Sequence, residues 1–151
     1  MDDITLRLAA GDDAGAIADV YLAAFHATYR FPLADDDEQV RSWIRDVLVP
    51  TEEVWVAVAP GPGIVALMAL SEEMLDQLYV APGWTGRGIG GRLVRLAKAR
   101  RPDGLDLYTF QVNSGARRFY VRHGFAEVAR GDGSGNEEGQ PDIRYAWRPR
   151  G

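Results

Sequence analysis

The chain has no cysteine and only two histidines among its 151 residues. The lack of cysteine excludes a disulfide framework, a thiol nucleophile and a cysteine-ligated metal site. His26 and His123 lie far apart in the sequence, so a zinc enzyme would need a ligand shell made mostly of carboxylates. We therefore expect no metal site in this protein.

A long apolar run and an excess of basic residues are also missing. The 17 basic and 22 acidic side chains give a net charge of −5, which predicts neither nucleic acid nor an anionic membrane as a partner and favours cationic or neutral substrates. No stretch approaches the roughly 20 apolar residues of a membrane span, and the N-terminal sequence MDDITLRLAAGDDAG lacks the basic start and apolar run of a signal peptide. These features predict a cytoplasmic protein.

The composition is that of an ordinary folded protein, with 46% hydrophobic and 26% charged residues. A chain of this length corresponds to one domain, which we assign to residues 1–151. Apolar periodicity and turn residues predict the element order β-α-α-β-β-β-α-β-α-β-β, which is an α+β fold. The predicted strands cover residues 5–10, a hairpin within 53–71, 75–80, 105–112, 125–128 and 143–147. The predicted helices end near residues 29, 48, 101 and 124.

A glycine-rich loop, residues 86–91, opens the third predicted helix. A strand, a glycine turn and a helix N-terminus together favour the binding of phosphate, because the first N–H groups of the helix are free and glycine permits close approach. The loop matches the dinucleotide pattern G-x-G-x-x-G, with Asp106 as the candidate ribose-binding acid. It does not match the P-loop, since Arg92 and Leu93 replace the lysine and hydroxyl residue. The downstream motifs of a kinase are absent.

Two further motifs carry a family resemblance. The run LDQLYVAPGWTGRGIGGRLVRLAKA resembles the acetyl-CoA-binding segment of the GNAT superfamily of N-acetyltransferases, whose signature is Q/R-x-x-G-x-G/A after a strand ending L-Y-V-x-P. Thr85 stands where Gln or Arg usually opens the signature. The run from Asn113 to Phe125 resembles the second motif, N-x-x-A-x-x-F-Y-x-x-x-G-F. Together the motifs span residues 75–125, and the order of the flanking elements extends the resemblance over nearly the whole chain.

The resemblance implies an α/β/α arrangement in which about four helices flank a mixed, mostly antiparallel central sheet of about seven strands. It implies acetyl-CoA as the cofactor, with its pyrophosphate on the glycine loop and its pantetheine arm along the strand at 78–80. It also makes a homodimer a reasonable expectation. The implied cofactor-binding residues are Leu78, Tyr79, Val80, Thr85, Gly86, Arg87, Gly88, Ile89, Gly90, Gly91, Asn113, Phe119 and Tyr120.

Amine acetylation requires a deprotonated amine, a polarised thioester carbonyl and a proton for the departing thiolate. By the resemblance, Tyr120 directs its hydroxyl at the thioester sulfur, and because a tyrosine titrates near 10 it can act there as general acid. A strand N–H near Val80 can stabilise charge on the carbonyl oxygen. Asp76, on the same strand, is our candidate for the base. The alternatives for the base are Glu72, Glu73 and His26.

The acceptor groove of this fold generally lies between the first two helices and the last hairpin. The candidate acceptor-binding residues there are Phe25, Tyr29, Phe31, Asn136, Glu137 and Glu138. The acidic segment GDGSGNEEGQPD is either a mobile hairpin loop or a loop that selects a cationic amine. The acidic run at 35–38 either caps the second helix or lines an entrance for a cation.

The sequence thus predicts an enzyme that transfers an acetyl group from acetyl-CoA to a primary amine of a small molecule or peptide by direct attack. Two alternatives remain open at this point. One is a non-catalytic acyl-CoA-binding module, which would keep the glycine loop without turnover. The other is a dinucleotide-binding oxidoreductase.

Overall fold

Seven strands and four helices follow one another in the order that the apolar periodicity predicts, within residues 3–149, which are those described by the computed structural model. The strands are β1 (Thr5–Leu8), β2 (Glu53–Ala59), β3 (Gly63–Leu70), β4 (Leu75–Val80), β5 (Leu105–Phe110), β6 (Ala126–Gly131) and β7 (Asp142–Trp147). The helices are α1 (Ala14–Thr28), α2, α3 (Ile89–Arg100) and α4 (Ser114–Arg122). Helix α2 begins as Asp37–Trp43 and continues through a π-helical turn, Ile44–Leu48, into Val49–Thr51.

The start of α2 confirms the capping interpretation of the acidic run. Asp36 is the N-cap, and its carboxylate accepts the N–H of Gln39 at 2.8 Å while the Gln39 side chain accepts the N–H of Asp36 at 2.8 Å. This reciprocal pair satisfies two N–H groups at the helix start. The helix runs three residues past the predicted end, and Pro50, which has no N–H to donate, is accommodated directly after the wider π turn.

Two predicted strands are shorter in the structure than the sequence suggests. β1 ends at Leu8 because the N–H of Ala10 leaves the ladder and donates to the Asp13 carboxylate at 2.7 Å. β5 ends at Phe110 because the chain turns there, with the N–H of Asn113 donating to the carbonyl of Phe110 at 3.0 Å. In both cases a backbone N–H that a longer strand would have paired donates instead to a side chain or to a carbonyl within a turn.

The strands form two antiparallel ladders, in the orders β1-β2-β3-β4 and β5-β7-β6. β4 and β5 run parallel to each other and touch through one bridge, Met74 with Asp106, beyond which they diverge. The predicted sheet of seven mostly antiparallel strands is confirmed. Its opening between β4 and β5 leaves one edge of β4 without a strand partner.

β4 carries a β-bulge at its N-terminal end, where it pairs with β3. Leu70 faces Leu75 and Ala69 faces Gln77, so Asp76 is an extra residue on β4. Bulges redirect side chains and occur often beside active sites. Here the bulge lies at the point where β4 begins to separate from β5.

Apolar side chains fill both faces of the sheet, as the predicted α/β/α layering requires. On one side α1 and α2 pack on the four-stranded ladder, with Ile17, Leu48 and Leu67 almost fully buried. On the other side α3 packs against β3 and β4, and Leu93 of α3 and Leu107 of β5 are almost fully buried in the same core. No helix within residues 3–149 combines the length and apolarity needed to cross a membrane.

Candidate active site

The divergence of β4 and β5 opens a cleft of about 1250 Å³. Its walls come from six parts of the chain: the end of α1, β4, the loop at 84–91 with the start of α3, the end of β5, helix α4, and the segment 131–136 before β7. All the residues expected to bind the cofactor line this cleft except Arg87. The side chain of Arg87 stacks instead on the ring of Trp84, with its guanidinium carbon 4.5 Å from the ring centroid.

The open edge of β4 presents backbone groups to the cleft. The N–H of Ala81 donates to the carbonyl of Val65 at 2.8 Å, which makes these two residues a hydrogen-bonded pair. Such pairs alternate along an antiparallel ladder, so Tyr79 directs its N–H toward β3 while Leu78 and Val80 direct theirs away from it. The N–H groups of Leu78 and Val80 are therefore available to a ligand in the cleft, whereas Tyr79 contributes its side chain.

The glycine loop has the backbone conformation of an anion cradle. Gly86 and Gly88 have φ angles of +75° and +81°, a region that other residues adopt only with strain. Gly88 is the N-cap of α3 and carries no side chain to cover the helix start, and its carbonyl accepts the N–H of Arg92 at 3.1 Å. The N–H groups of the first helical turn precede that bond and have no acceptor within the helix, so they face the cleft with the positive end of the helix dipole.

Gly90 and Gly91 have ordinary helical conformation, so the lack of a side chain at these positions matters for packing and not for backbone geometry. A Cβ at Gly90 would lie 3.2 Å from Cζ of Phe119, and a Cβ at Gly91 would lie 3.2 Å from Cε1 of His123. These two glycines allow α3 to approach α4 closely. The approach brings the anion cradle next to the side chains of α4.

Basic side chains surround the same end of the cleft. Arg95, Arg122 and His123 line it. Burial lowers the pKa of His123, and the positive charges of Lys98, Arg122 and Arg95 lower it further. The donors of the cradle and this cluster fit the pyrophosphate of coenzyme A, and the free edge of β4 fits its amide-containing arm.

Tyr120 lies on α4 with its side chain buried among Phe119, Phe125 and Tyr145, and it borders the cleft. Burial raises the pKa of Tyr120 well above its usual value, and the nearby Tyr29 hydroxyl adds to this. The phenol therefore stays protonated at every physiological pH. It can donate a hydrogen bond or a proton into the cleft.

The candidate bases fall into two groups. Asp76, displaced by the bulge, is exposed and lines the cleft. Glu72, Glu73 and His26 lie outside the cleft lining, and His26 sits 3.8 Å from the Asp37 carboxylate on the far side of α1 and α2. The structure thus brings Asp76, and not its alternatives, to the same cleft as Tyr120.

A cluster of aromatic rings lies at the other end of the cleft, where Tyr29 and Phe110 line it and Phe31 packs on both rings without lining it. Tyr29 and Phe31 lie 5.0 Å apart, and Phe110 lies 5.2 and 5.1 Å from them between ring centroids. The Tyr29 hydroxyl accepts a hydrogen bond from Nδ2 of Asn113 at 2.9 Å. Phe25 was expected to contact the acceptor, but it is 2% exposed and packs beneath these rings. Phe25 supports the site from the core, because it lies on the side of α1 that faces inward.

The acidic segment before β7 is folded on itself and docked on the α1–α2 connection. The side chain of Asn136 donates to the carbonyl of Gln140 at 2.7 Å and to the Asp142 carboxylate at 3.1 Å, which holds the loop in shape. Glu138 accepts the N–H of Ala34 at 3.2 Å. Asn136 lines the cleft, whereas the next two residues, Glu137 and Glu138, are not among the residues that line it.

These acids act on the aromatic end of the cleft. Burial raises the pKa of Tyr21 to about 12, and the negative charges of Glu138, Glu137 and Asp35 contribute to the shift. The ring of Tyr21 lies 4.7 Å from that of Tyr79. The far end of the cleft is therefore aromatic and negatively polarised, an environment that favours a cation.

Several features of the site have no signal in the sequence. Trp84, Phe110 and His123 line the cleft, but each fits an ordinary core or capping pattern.

Asp106, the candidate ribose-binding acid, is buried and paired with Arg144 and Arg148, 2.8 Å from each. These ion pairs link Asp106 on β5 to Arg144 on β7 and to Arg148 just after β7. Asp106 is therefore not available to bind the ribose of a dinucleotide. The glycine loop also follows an antiparallel strand, so the dinucleotide alternative is wrong.

Comparison with known proteins gives the family. A model described as an acetyltransferase (GNAT) domain matches residues 50–127, just over half of the chain. Over 129 residues the chain is 27% identical to the peptidyl-lysine N-acetyltransferase YjaB of Escherichia coli K12, covering 85% of this chain and 86% of that protein. The protein of the same name from Salmonella typhimurium is 28% identical over the same length, covering 85% of this chain and 88% of that protein.

Solved structures show the same architecture. The solution structure of apo YjaB from Escherichia coli superimposes with a TM-score of 0.79 at 25% identity, covering 95% of this chain and 97% of that one. The PaiA N-acetyltransferase of Thermoplasma acidophilum, solved in complex with coenzyme A, shares the fold with a TM-score of 0.74 at 20% identity, covering 97% of this chain and 99% of that one. With the motifs, the cleft and the family model in agreement, the chain belongs to the GNAT family of acetyl-CoA-dependent N-acetyltransferases.

Proposed function

We propose that this enzyme transfers the acetyl group of acetyl-CoA directly to a primary amine, with a lysine side chain of a peptide as the favoured acceptor and a small cationic amine as the alternative. The observation that supports this is the meeting of an open strand edge, an anion cradle and Tyr120 in one cleft. When bound, acetyl-CoA supplies a thioester whose carbonyl carbon forms a bond to the amine nitrogen as its bond to sulfur breaks.

The backbone of the cleft binds and orients the donor. The first N–H groups of α3 would hold the pyrophosphate, with Arg122 as a charged neighbour. The N–H groups of Leu78 and Val80 would pair with the pantetheine arm, and that of Val80 is suited to charge developing on the carbonyl oxygen. Asn113 and Phe119 would contact the arm from α4, where Oδ1 of the Asn113 side chain also caps the helix by accepting the N–H of Ala116 at 3.0 Å.

Two side chains would handle the protons. The ammonium nitrogen of the acceptor loses two protons in becoming an amide, of which one ends on the sulfur and the other goes to solvent. Tyr120 is protonated and buried, so it would donate to the departing sulfur. Asp76 is exposed at the cleft and would take the proton that the ammonium must lose before attack.

The aromatic and acidic end of the cleft would select the acceptor. Tyr29, Phe31 and Phe110 form an apolar wall for a methylene chain. The charges of Glu137 and Glu138 act on the aromatic end of the cleft and attract a cation. The name of the YjaB relatives, peptidyl-lysine N-acetyltransferase, agrees with this choice.

An acetyl-transfer assay with three acceptors tests the proposal. The acceptors are an N-terminally blocked peptide with one lysine, the same peptide with arginine in its place, and a small diamine. We expect acetyl-CoA-dependent acetylation of the lysine peptide, located on Nε by mass spectrometry, and none of the arginine peptide. Acetyl-CoA that stabilises the protein to heat without modifying either amine would contradict the proposal in favour of a binding module.

A further inference from the structure

Two carboxyl groups from distant parts of the chain meet beside the cleft. Glu52 lies between α2 and β2, where its backbone is extended and its N–H donates to the carbonyl of Leu48 at 3.0 Å. Asp76 is the bulged residue of β4 and lines the cleft. The Glu52 carboxyl lies within hydrogen-bonding reach of the Asp76 carboxyl. Backbone structure on both sides therefore fixes the pair.

The contact leaves one oxygen of Glu52 without an ordinary partner. Oε1 of Glu52 is buried, and no donor among residues 3–149 bonds to it. Two ionised carboxylates offer acceptors only, so a hydrogen bond between them exists only when the pair holds one proton. A buried oxygen facing a second carboxyl is the arrangement that keeps such a proton.

Other charged groups do not neutralise the pair. Glu53, the next residue, binds Arg100 and Arg101 at 2.7 and 3.1 Å. Since successive side chains of extended backbone point to opposite faces, these arginines lie on the other side of the sheet from Glu52. The acids of the β3–β4 turn, at 72 and 73, are exposed. Asp76 is the ionisable group whose charge acts on Glu52.

We propose that Glu52 is a positioning residue that forms a proton-sharing pair with Asp76, through which Asp76 accepts the proton of the substrate ammonium. This inference rests on the transfer function proposed above and adds a residue to it. Asp76 is the member that meets the substrate, and Glu52 acts through Asp76. The proton passes from the ammonium nitrogen to the pair and then from exposed Asp76 to water, so no other reactant is needed.

The physical benefit is a stronger base at neutral pH. Burial raises the pKa of Glu52 to about 7, and the hydrogen bond and negative charge of Asp76 add to the shift. An isolated carboxyl group titrates near 4 and is a much weaker base. A base is most effective when it titrates near the working pH, so a pair in which Glu52 holds its proton up to that range is suited to the task.

The test compares Glu52→Gln with the matched control Glu72→Gln, which removes the same charge from an exposed site on the β3–β4 turn. For the wild type and the control we expect kcat/KM for the lysine peptide to show an inflection near pH 7 on the acid side. For Glu52→Gln we expect that inflection to move to lower pH and the rate at pH 8 to fall about tenfold, less than the roughly 10²-fold for loss of a base, because Asp76 remains as a weaker base. A uniform loss at every pH, with the inflection unmoved, would show a merely structural role and overturn the proposal.

A second measurement reports on the pair without any substrate. Infrared titration of the protein alone should show a protonated carboxyl that persists to about pH 7 in the wild type, is lost in Glu52→Gln and titrates at lower pH in Asp76→Asn. Absence of this band in an active wild-type enzyme would overturn the pair alone. A band that titrates near 7 in a wild type that transfers no acetyl group would instead overturn the transfer function, and with it the role of the pair.

Discussion

At the scale of single residues, Tyr120 illustrates how burial selects a role. Its phenol is enclosed by aromatic rings, and burial raises its pKa, so the residue is always present as a donor. A buried tyrosine ring also contributes to the core. Its proposed catalytic role and its structural contribution can be separated, because substitution by phenylalanine keeps the ring and removes only the hydroxyl.

We expect Tyr120→Phe to lower kcat about 10²-fold while coenzyme A binding and thermal stability change little, since the ring is retained and the proton donor is lost. The matched control is Tyr145→Phe, which removes a buried hydroxyl from β7, outside the lining of the cleft. Steady-state kinetics and a binding isotherm measure both. If the two substitutions lowered kcat equally, Tyr120 would have a structural role only.

Glu53 shows the opposite effect of environment on a carboxyl group. Its hydrogen bonds from Arg100, and those from Trp55 and Arg101, lower its pKa to about 2. Because its folded pKa lies below the unfolded value near 4.5, its contribution to stability is complete above pH 4.5 and disappears as the pH falls toward 2.

We therefore expect Glu53→Gln to lower the free energy of unfolding by about 1 to 2 kcal/mol at pH 7, with the difference shrinking as the pH falls below about 4. The control is Glu127→Gln, which breaks the exposed pair with Arg130 and should change the free energy of unfolding little, because water and salt screen that pair. Urea titrations across the pH range measure both. A difference that does not shrink at low pH would exclude the ion pair as its cause.

The sequence predicts some residues of the site and not others, for a physical reason. Asn113 and Tyr120 stand at fixed spacing within one helix, so a local motif identifies them. Glu52 meets Asp76 only through the pairing of three strands, and no local pattern encodes that contact. Phe25 was misassigned because periodicity shows that a helix face turns inward but not whether it meets a cleft or the core.

At the scale of elements, the packing of α3 on α4 depends on two glycines. Gly90 and Gly91 leave room for Phe119 and His123. The helix ends and most strand bounds could be predicted because caps, turns and alternation are local. The divergence of β4 from β5 could not be predicted, since both strands have an ordinary apolar pattern. The gap depends on the relative placement of the two ladders, which no local pattern encodes.

We expect Gly90→Ala to lower the free energy of unfolding by about 1 to 3 kcal/mol and to weaken coenzyme A binding, because the new Cβ pushes α4 from the cradle. Gly15→Ala is the matched control in α1, where a Cβ meets nothing within 4 Å and should stabilise by about 0.5 kcal/mol. Thermal melts with and without coenzyme A measure both effects. A neutral Gly90→Ala variant would show that the ring of Phe119 moves freely.

At the scale of the whole molecule, charge is separated along the cleft. Arg95, Arg122 and His123 lie at the cradle end, while the charges of Glu137 and Glu138 act on Tyr21, whose ring lies 4.7 Å from that of the cleft residue Tyr79. The total charge of −5 conceals this arrangement. An anionic donor and a cationic acceptor are each attracted to opposite ends, so they can bind without competing.

We expect the KM for a lysine peptide with further basic residues to rise about two- to fivefold between low and physiological salt, because the charges of Glu137 and Glu138 are screened. An otherwise neutral lysine peptide should respond less. The double variant Glu137→Gln and Glu138→Gln should remove most of the difference between the peptides, and its amide at 138 can still accept the N–H of Ala34. Equal salt dependence of both peptides in the wild type would place the acceptor elsewhere.

The gap between β4 and β5 also has a consequence for how the protein unfolds. Within residues 3–149, the backbone contact between the two ladders is the bridge between Met74 and Asp106, where the N–H of Asp106 donates to the carbonyl of Glu73 at 2.9 Å. One apolar core spans both ladders on the α3 side, so they are held together mainly by side-chain packing. We expect the backbone beside the gap to exchange its amide hydrogens sooner than the rest of either ladder. A ligand that bonds to the free edge of β4 takes the place of a missing strand, and should slow that exchange.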